Sequence, residues 1–349
     1  MSQFSINGRG IGPDEPTYVI AELSANHRNE LDHAMELLEA AVEAGADAVK
    51  IQTYRPDTLT IDAETDHFTI SEGTPWDGQT LYELYEEGYM PWEWQPKLKR
   101  RADELGVDLF SSAFDDSAVE FLEEMDVPAY KVASFENVDI PLIRRMAETG
   151  KPLIISTGMA SVGEIANAVT AARESGADGV SLLKCTSSYP APADSMNVTT
   201  IPHMADLFDV PAGLSDHSPG IGAAIAAVAH GASIVEKHFT LSRDEETPDA
   251  DFSLEPDEFE WLVDSIRQAE QSLGEVAYGM HPVEETNEVF RRSLFCVQDV
   301  MAGEQLTKEN VRSIRPGYGL KPKHIDVVLG RTAAEDISRG EPLQWELIE

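Results

Sequence analysis

Eight times between residues 17 and 273 the chain repeats one unit: a short apolar strand, a polar loop, and a segment with 3.6-residue hydrophobic periodicity. The strands read TYVIAELS (17–24), DAVKIQT (47–53), DLFSSAF (108–114), AYKVAS (129–134), PLIISTG (152–158), VSLLKCTS (180–187), PAGLSDH (211–217) and SIVEKHF (233–239). Helical patterns follow at 32–44, 92–105, 116–125, 140–149, 161–175, about 198–208, 219–230 and 256–273. Eight such units predict an α/β fold of the (β/α)₈ barrel type, because a doubly wound sheet usually has fewer strands. Gly45, Gly106, Gly150, Gly176 and Gly231 stand at the helix-to-strand joints, where a helix C-cap falls.

Two stretches break the repeat. Residues 54–91 form a long insert after the second strand, ending in the aromatic-rich LYELYEEGYMPWEW. The plainer expectation is a hairpin or loop packed on the barrel; the sharper one is a wall of its mouth. After residue 274 the pattern changes to short strand-like pieces with turns. The expected organisation is a barrel domain at 1–274, a polar linker at 275–289 and a small second domain at 290–349.

Charge narrows the partners. The chain carries 63 Asp+Glu against 26 Lys+Arg, a formal charge of −37, which argues against nucleic acid and anionic membrane surfaces. The acidic residues are spread along the whole length, so they describe an acidic surface and not a disordered tail. Arg outnumbers Lys by 16 to 10. A source cell with high internal salt fits this balance, since screening shortens to about 3 Å at 1 M; activity lost at molar KCl would count against it. Cys185 and Cys296 offer no disulfide framework, MSQFSINGRG does not read as a signal peptide, and no apolar run approaches ~18 residues. The expectation is a soluble cytoplasmic protein with 42% hydrophobic residues, enough for one large core and a small extra domain.

The chemistry gathers where barrels keep their sites, at the C-terminal ends of the strands. Those ends supply Glu22 with Asn26 and His27; Lys50 and Gln52; Ser111 and Ser112; Lys131 and Ser134; Ser156 and Thr157; Lys184, Thr186 and Ser187; Ser215 and His217; Glu236 and His238. Polar ends on eight apolar strand bodies predict one site at one mouth. In SIVEKHF, ionisable Glu236, Lys237 and His238 stand where more apolar residues would continue a buried strand.

Side chains alternate along a strand, so Ser215 shares a face with His217 and Glu236 with His238. Either histidine alone reads as a hydrogen-bonded core residue. Two imidazoles from adjacent strands suit an open, exchangeable divalent site of Mn²⁺ or Mg²⁺ type. Lys50 and Lys131, flanked by Ser112, Ser134, Ser156 and Ser215, would cradle a phosphate and a carboxylate on an otherwise acidic protein. Either lysine could instead form a Schiff base. Lys237 falls out of phase and reads as a structural ion-pair partner, and Cys185 as a small buried apolar group.

AELSANH, GADAVKIQTYRPDTLT, YKVASFE, ISTGM, LLKCTSSYPAP, GLSDHS and EKHF, followed by RRSL and SIRPGYGL, resemble the sialic acid synthase family in order and over essentially the whole chain. The resemblance implies a barrel enzyme that condenses phosphoenolpyruvate with an amino sugar in a metal-assisted reaction, and a tail of the antifreeze-like (SAF) type. QTYRPDTLTI, LYELYEEGYMPWEW and FSSAFD look most like the pseudaminic acid branch, whose acceptor is 2,4-diacetamido-2,4,6-trideoxy-L-altropyranose. The N-acetylneuraminate and legionaminate branches are the alternatives.

Carried over motif by motif, the resemblance implies His217 and His238 as metal ligands. Lys50, Lys131, Ser134, Ser156 and Ser215 would hold phosphoenolpyruvate, with Ser112 facing its phosphate. Glu22, Gln52, Tyr189 and Asp249 would face the sugar, and Glu236, with Glu22 as the second catalytic carboxylate, would serve in acid–base work. Arg315 resembles an arginine that reaches a partner subunit's barrel, which implies a domain-swapped homodimer. Ser187, a substrate-binding position, replaces the Asn that sialic acid synthases carry there, a departure that weakens the N-acetylneuraminate reading. The residues also leave open a lysine-dependent aldolase, and a tail acting as an autonomous binding module.

Overall fold

The computed structural model describes residues 3–70, 77–245 and 247–349. It opens with an antiparallel hairpin, β1 (Phe4–Ile6) and β2 (Arg9–Ile11), joined through Asn7 and Gly8 at φ 48° and 83°. Two successive left-handed residues are what a tight hairpin turn of primed type requires. Ile6 and Ile11 are buried, and Asn7 Nδ2 donates to Asp108 Oδ1 at 2.9 Å. Phe4 packs where Gly179 has no side chain; a Cβ there would lie 2.2 Å from its ring. The hairpin thus seats on residues that begin barrel strands.

Eight parallel strands follow: β3 (Tyr18–Glu22), β4 (Ala48–Thr53), β5 (Asp108–Ala113), β6 (Tyr130–Val132), β7 (Leu153–Ser156), β8 (Val180–Cys185), β9 (Ala212–Asp216) and β10 (Ile234–His238). They close a barrel in chain order, with β10 pairing back onto β3 through Ile234↔Tyr18 to His238↔Glu22. Every residue of β3 and β10 is buried. That is the reason these strands read as apolar runs without alternation: one face meets the barrel interior and the other the helices.

The helices are α1 (Leu31–Glu43), α2 (Pro56–Leu59), α3 (Leu81–Gly88), α4 (Gln95–Leu105), α5 (Asp116–Glu124), α6 (Ile140–Ala147), α7 (Val162–Glu174), α8 (Thr200–Phe208), α9 (Gly222–Ala229) and α10 (Pro256–Leu273). Local chemistry sets their ends. Asp115 caps α5 by accepting from Ser117 N and Ala118 N at 2.7 and 3.2 Å, and Ser161 with Glu164 forms a capping box on α7. Gly106, at φ 74°, ends α4 in the left-handed conformation that side chains resist. The eight strand–helix units fall where the periodicity places them, with boundaries shifted by a few residues.

The insert contributes α2 and α3, with Thr69 and Thr80 bridged between them; the part of it at 71–76 lies outside the described residues. The chain divides into two compact units, residues 1–274 and 275–349. The second carries an antiparallel pair, β11 (Ser293–Cys296) and β12 (Val311–Ile314), over its own core of Leu294, Val311, Ile337 and Leu343. A short helix, α11 (Ile325–Val328), lies within it. Among the described residues no helix is long and apolar enough to cross a membrane.

Candidate active site

Side chains at every second position of a barrel strand point inward, and the last inward pair on each strand meets the open end. A cavity of about 510 Å³ lies there. Its lining includes Glu22, Lys50, Gln52, Ser112, Lys131, Ser134, Ser156, Ser187, Tyr189, Ser215, His217, Glu236, His238 and Asp249, so the barrel residues that the resemblance carries to the site meet around one space, whereas Asn26, His27, Ser111, Thr157, Lys184 and Thr186, also expected there from their strand ends, do not line it. Arg315 does not belong to this unit; it is exposed, one residue past β12.

Two buried carboxylates and one ammonium form the centre. Lys50 Nζ lies 3.0 Å from Glu22 Oε2 and 3.1 Å from Glu236 Oε1, and donates to Ser112 Oγ at 3.3 Å. Gln52 Nε2 donates to Glu22 Oε1 at 2.9 Å, and Ser215 Oγ to Glu236 Oε1 at 3.4 Å. Burial raises both carboxylates, but the two are driven apart. Lys131 and Lys50 outweigh burial at Glu236 and hold its pKa below the ordinary value. At Glu22 burial prevails over Lys50, and the Glu236 charge adds to it, so its pKa rises. Two neighbouring carboxyls are thus pushed in opposite directions, the pattern by which one site divides acid from base.

The lysines differ as well. Burial disfavours the charged form of Lys50, yet Glu22 and Glu236 overcome it and raise its pKa. Lys131, 1% exposed, has no ion-pair partner among the described residues; its Nζ donates to Ser156 Oγ at 2.7 Å and to the Val132 carbonyl at 3.0 Å. Burial lowers its pKa, with Glu236 only partly opposing. An ammonium in this position is poised for an anion that enters from solvent.

The histidines stand side by side, their ring centroids 5.3 Å apart. His217 follows β9 directly, and its Nδ1 donates to the Thr186 carbonyl at 3.0 Å, leaving Nε2 as the acceptor. Burial and the neighbouring cationic groups push the His238 pKa well down, so its ring is neutral. Among the described residues the buried His238 Nδ1 has no hydrogen-bond partner, and it lies 3.9 Å from Asp249 Oδ2. Glu236 Oε2 is orphaned in the same way. Unsatisfied polar atoms this deep are rare in structural cores and are a feature of sites that await a ligand. Among the described residues no three His, Cys, Asp or Glu side chains are gathered as a metal centre, so the two imidazoles would need oxygen donors from substrate or solvent.

Neighbours position the rest. Ser24 Oγ hydrogen-bonds Asp249 Oδ2, and Gln52 Nε2 also reaches Ser24 Oγ at 3.2 Å. The Tyr189 ring lies 4.5 Å from His217 and 5.3 Å from Phe252. Ser134 and Ser187 hydroxyls pair at 2.8 Å. Gly158, at φ 48°, allows that approach; a Cβ there would sit 2.6 Å from Ser134 Cβ.

Some residues depart from the sequence reading. Lys184 Nζ turns to the Cys185 carbonyl and Thr186 Oγ1, at 2.7 and 3.2 Å, and does not line the cavity. Cys185 does, with Sγ 3.7 Å from Ser187 Oγ and 3.8 Å from His217 Nδ1, so it is more than apolar filling. Lys237 is the ion-pair partner its phase suggests, fully buried and 2.9 Å from Asp216 Oδ2. Ser24, Tyr54, Tyr85 and Glu136 also line the cavity although the sequence reading singled out none of them: Ser24 ends the expected strand 17–24, Tyr54 is the next inward step after Gln52, Tyr85 lies on α3 of the insert, and Glu136 follows β6. Glu136 Oε2 is buried and has no hydrogen-bond partner among the described residues, and burial raises the carboxyl pKa.

A closed (β/α)₈ barrel with a cationic, carboxylate-bearing mouth, followed by a small β unit, defines the class. The chain belongs to the NeuB family, whose signature matches residues 37–278, and residues 291–349 match the SAF domain. It is 43% identical over 331 residues to the pseudaminic acid synthase of Campylobacter jejuni, covering 95% of this chain and 96% of that one. The pseudaminic acid synthase of Helicobacter pylori is 40% identical over 336 residues, 96% of this chain and 98% of its own. Among solved structures, the N-acetylneuraminic acid synthetase of Leptospira borgpetersenii, in complex with citrate, superposes with a TM-score of 0.73 at 29% identity, covering 82% of this chain and 95% of that one.

Proposed function

We propose that this chain is a pseudaminic acid synthase. It joins phosphoenolpyruvate, 2,4-diacetamido-2,4,6-trideoxy-L-altropyranose and water into pseudaminic acid and phosphate. The observation that carries the reading is the likeness to pseudaminic acid synthases at 40–43% identity along the whole chain. The cavity supports it chemically, with two buried lysines and a ring of serines for a small, doubly anionic substrate.

Phosphoenolpyruvate lies on Lys50 and Lys131 with Ser112, Ser134, Ser156 and Ser215. Glu22, Gln52, Tyr189, Ser187 and Asp249 hold the open-chain sugar. Enol C3 bonds to the sugar's aldehyde carbon while the aldehyde oxygen takes a proton from Glu22, whose pKa burial and the Glu236 charge raise. Water then adds at C2, and Glu236, held ionised by the two lysines, accepts its proton. The resulting hydroxyl passes its proton to the departing phosphate oxygen, which takes the bonding pair as the C2–O bond breaks, leaving the ketone and inorganic phosphate. His217 Nε2 and the orphaned Nδ1 of His238 fit as donors to a divalent ion, Mn²⁺ or Mg²⁺, which when bound supplies Lewis-acid polarisation of the carbonyl. Arg315 would contact the sugar from a second copy of the chain in a domain-swapped homodimer, and the exposed Val276, Tyr278 and Val283 near the start of the second unit supply apolar surface for such an association.

The test is phosphate release from phosphoenolpyruvate with three acceptors: N-acetylmannosamine, the diacetamido-trideoxy-altrose and its legionaminate-pathway counterpart. Release that depends on the altrose, and stops with EDTA, is expected; release with N-acetylmannosamine alone would overturn the assignment. A second reading, a lysine imine, is favoured only by the lowered pKa of Lys131. Borohydride trapping of a substrate adduct, with full activity in EDTA, would select it.

A further inference from the structure

The cavity is layered, and the layering follows from strand register. Along β4 the alternate residues Lys50, Gln52 and Tyr54 all line it, and each step of two climbs about 7 Å toward the mouth. β5 contributes Ser112, paired in register with Gln52, and then Phe114 beyond the strand end. The innermost level is therefore ammonium, the next hydrogen-bonding, and the outermost aromatic.

On the side of β4, β5 and the insert that outermost level is an apolar collar. The rings of Tyr54 and Phe114 meet edge to face with centroids 5.4 Å apart, and Tyr85 of α3 meets Tyr54 at 5.9 Å. Leu59 and Leu84 complete the wall. The insert is built to hold it there: Thr80 and Glu83 form a capping box that starts α3, and Gly88 ends it against Tyr54, where a Cβ would stand 3.1 Å from the Tyr54 hydroxyl. LYELYEEG is thus half of a substrate wall and not a decoration on the barrel.

We infer that this collar selects the far end of the acceptor sugar, and that Leu84 and Tyr85 discriminate a C6 methyl from a C6 hydroxymethyl group. The inference rests on the proposed condensation. In that reaction the aldehyde carbon meets the enol at the carboxylate level, so the opposite end of the sugar must lie toward the mouth. A 6-deoxy, 4-acetamido tail presents methyl groups to Leu59, Leu84 and the ring edges and buries apolar area there. A C6 hydroxyl would be brought against aliphatic carbon and lose hydration. An apolar wall rejects one such group by about 10–100-fold.

The experiment compares kcat/KM, from phosphate release, for the 2,4-diacetamido-2,4,6-trideoxy sugar and for the same sugar bearing a 6-hydroxyl. The wild type should favour the deoxy sugar by at least about tenfold. Leu84→Asn and, separately, Tyr85→Ser should bring that ratio toward one by raising KM for the deoxy sugar, with KM for phosphoenolpyruvate unchanged. Both side chains are half-buried on a short outer helix, so the barrel does not depend on them. Activity retained with an unchanged ratio in both variants overturns the collar alone. No phosphate with any acceptor overturns the condensation and the collar together.

Discussion

The two ends of the barrel treat charge in opposite ways. At the N-terminal end Asp47 accepts from Val19 N at 2.9 Å and Arg267 Nη2 at 2.7 Å, and pairs with Arg9; Asp108 accepts from Tyr18 Oη at 2.6 Å and from Asn7. At the C-terminal end, among the described residues, Glu236 Oε2 and His238 Nδ1 have no hydrogen-bond partner and Lys131 makes no ion pair, feeling Glu236 only at longer range. Buried polar groups normally find partners, so the first pattern belongs to stability and the second to binding. The lesson is that burial alone does not mark a site; burial with unmet bonding capacity does.

The largest effect expected from breaking that contrast is at Glu236. Glu236→Gln keeps the shape and the Ser215 contact but removes the base, and should lower kcat by about 10²-fold or more with an unchanged thermal midpoint. A near-normal kcat would return Glu236 to a structural role. His27 sharpens the comparison from outside the cavity. Burial, partly opposed by a hydrogen bond to the Gly88 backbone, lowers its pKa to about 4. The folded state therefore resists a proton that the unfolded chain accepts near 6.5, so stability is complete above that pH and is lost as pH falls toward 4. The contribution is up to about 3 kcal/mol. Denaturation at pH 7 and 4.5 should show that loss in the wild type and less of it in His27→Gln; equal losses would clear His27 of the effect.

At the opposite end, Asp47→Ala strands Val19 N–H and Arg267, and should cost about 2 kcal/mol of stability while kcat/KM of the folded enzyme stays the same. A large change in activity there would erase the distinction between the ends. The smallest effect is Arg9→Ala, less than about 1 kcal/mol, because that pair is partly exposed and screened. Chemical denaturation resolves both.

The barrel was legible because period two and period 3.6 are strong signals in DAVKIQT or in the helix that ends at Gly106. The same alternation placed Ser215 beside His217 and Glu236 beside His238, each pair on one face. It also held a signal that went unread. Cys185 lies two residues before Ser187 and shares its face, so the phase that admits Ser187 to the cavity admits the thiol. The N-terminal hairpin was announced by Asn7–Gly8 between Ile6 and Arg9, a pair suited to two left-handed residues, yet strands of three residues carry too little periodicity to stand out. Tyr54 continues the alternation of Lys50 and Gln52, a second signal that went unread, whereas Glu136 and Tyr85 lie off the barrel strands, where tertiary packing sets a side chain's direction. Lys237 shows the converse: its phase alone excluded it from the cavity, and Asp216 meets it behind the strand.

Calorimetric titration with phosphoenolpyruvate tests the contrast most directly. The wild type and Asp47→Ala should bind alike, while Lys131→Met, which removes an unpaired buried ammonium, should lose about 10²-fold in affinity with no loss of folded stability. Undiminished binding by Lys131→Met, or an equal loss in Asp47→Ala, would contradict the assignment of the open charges to substrate.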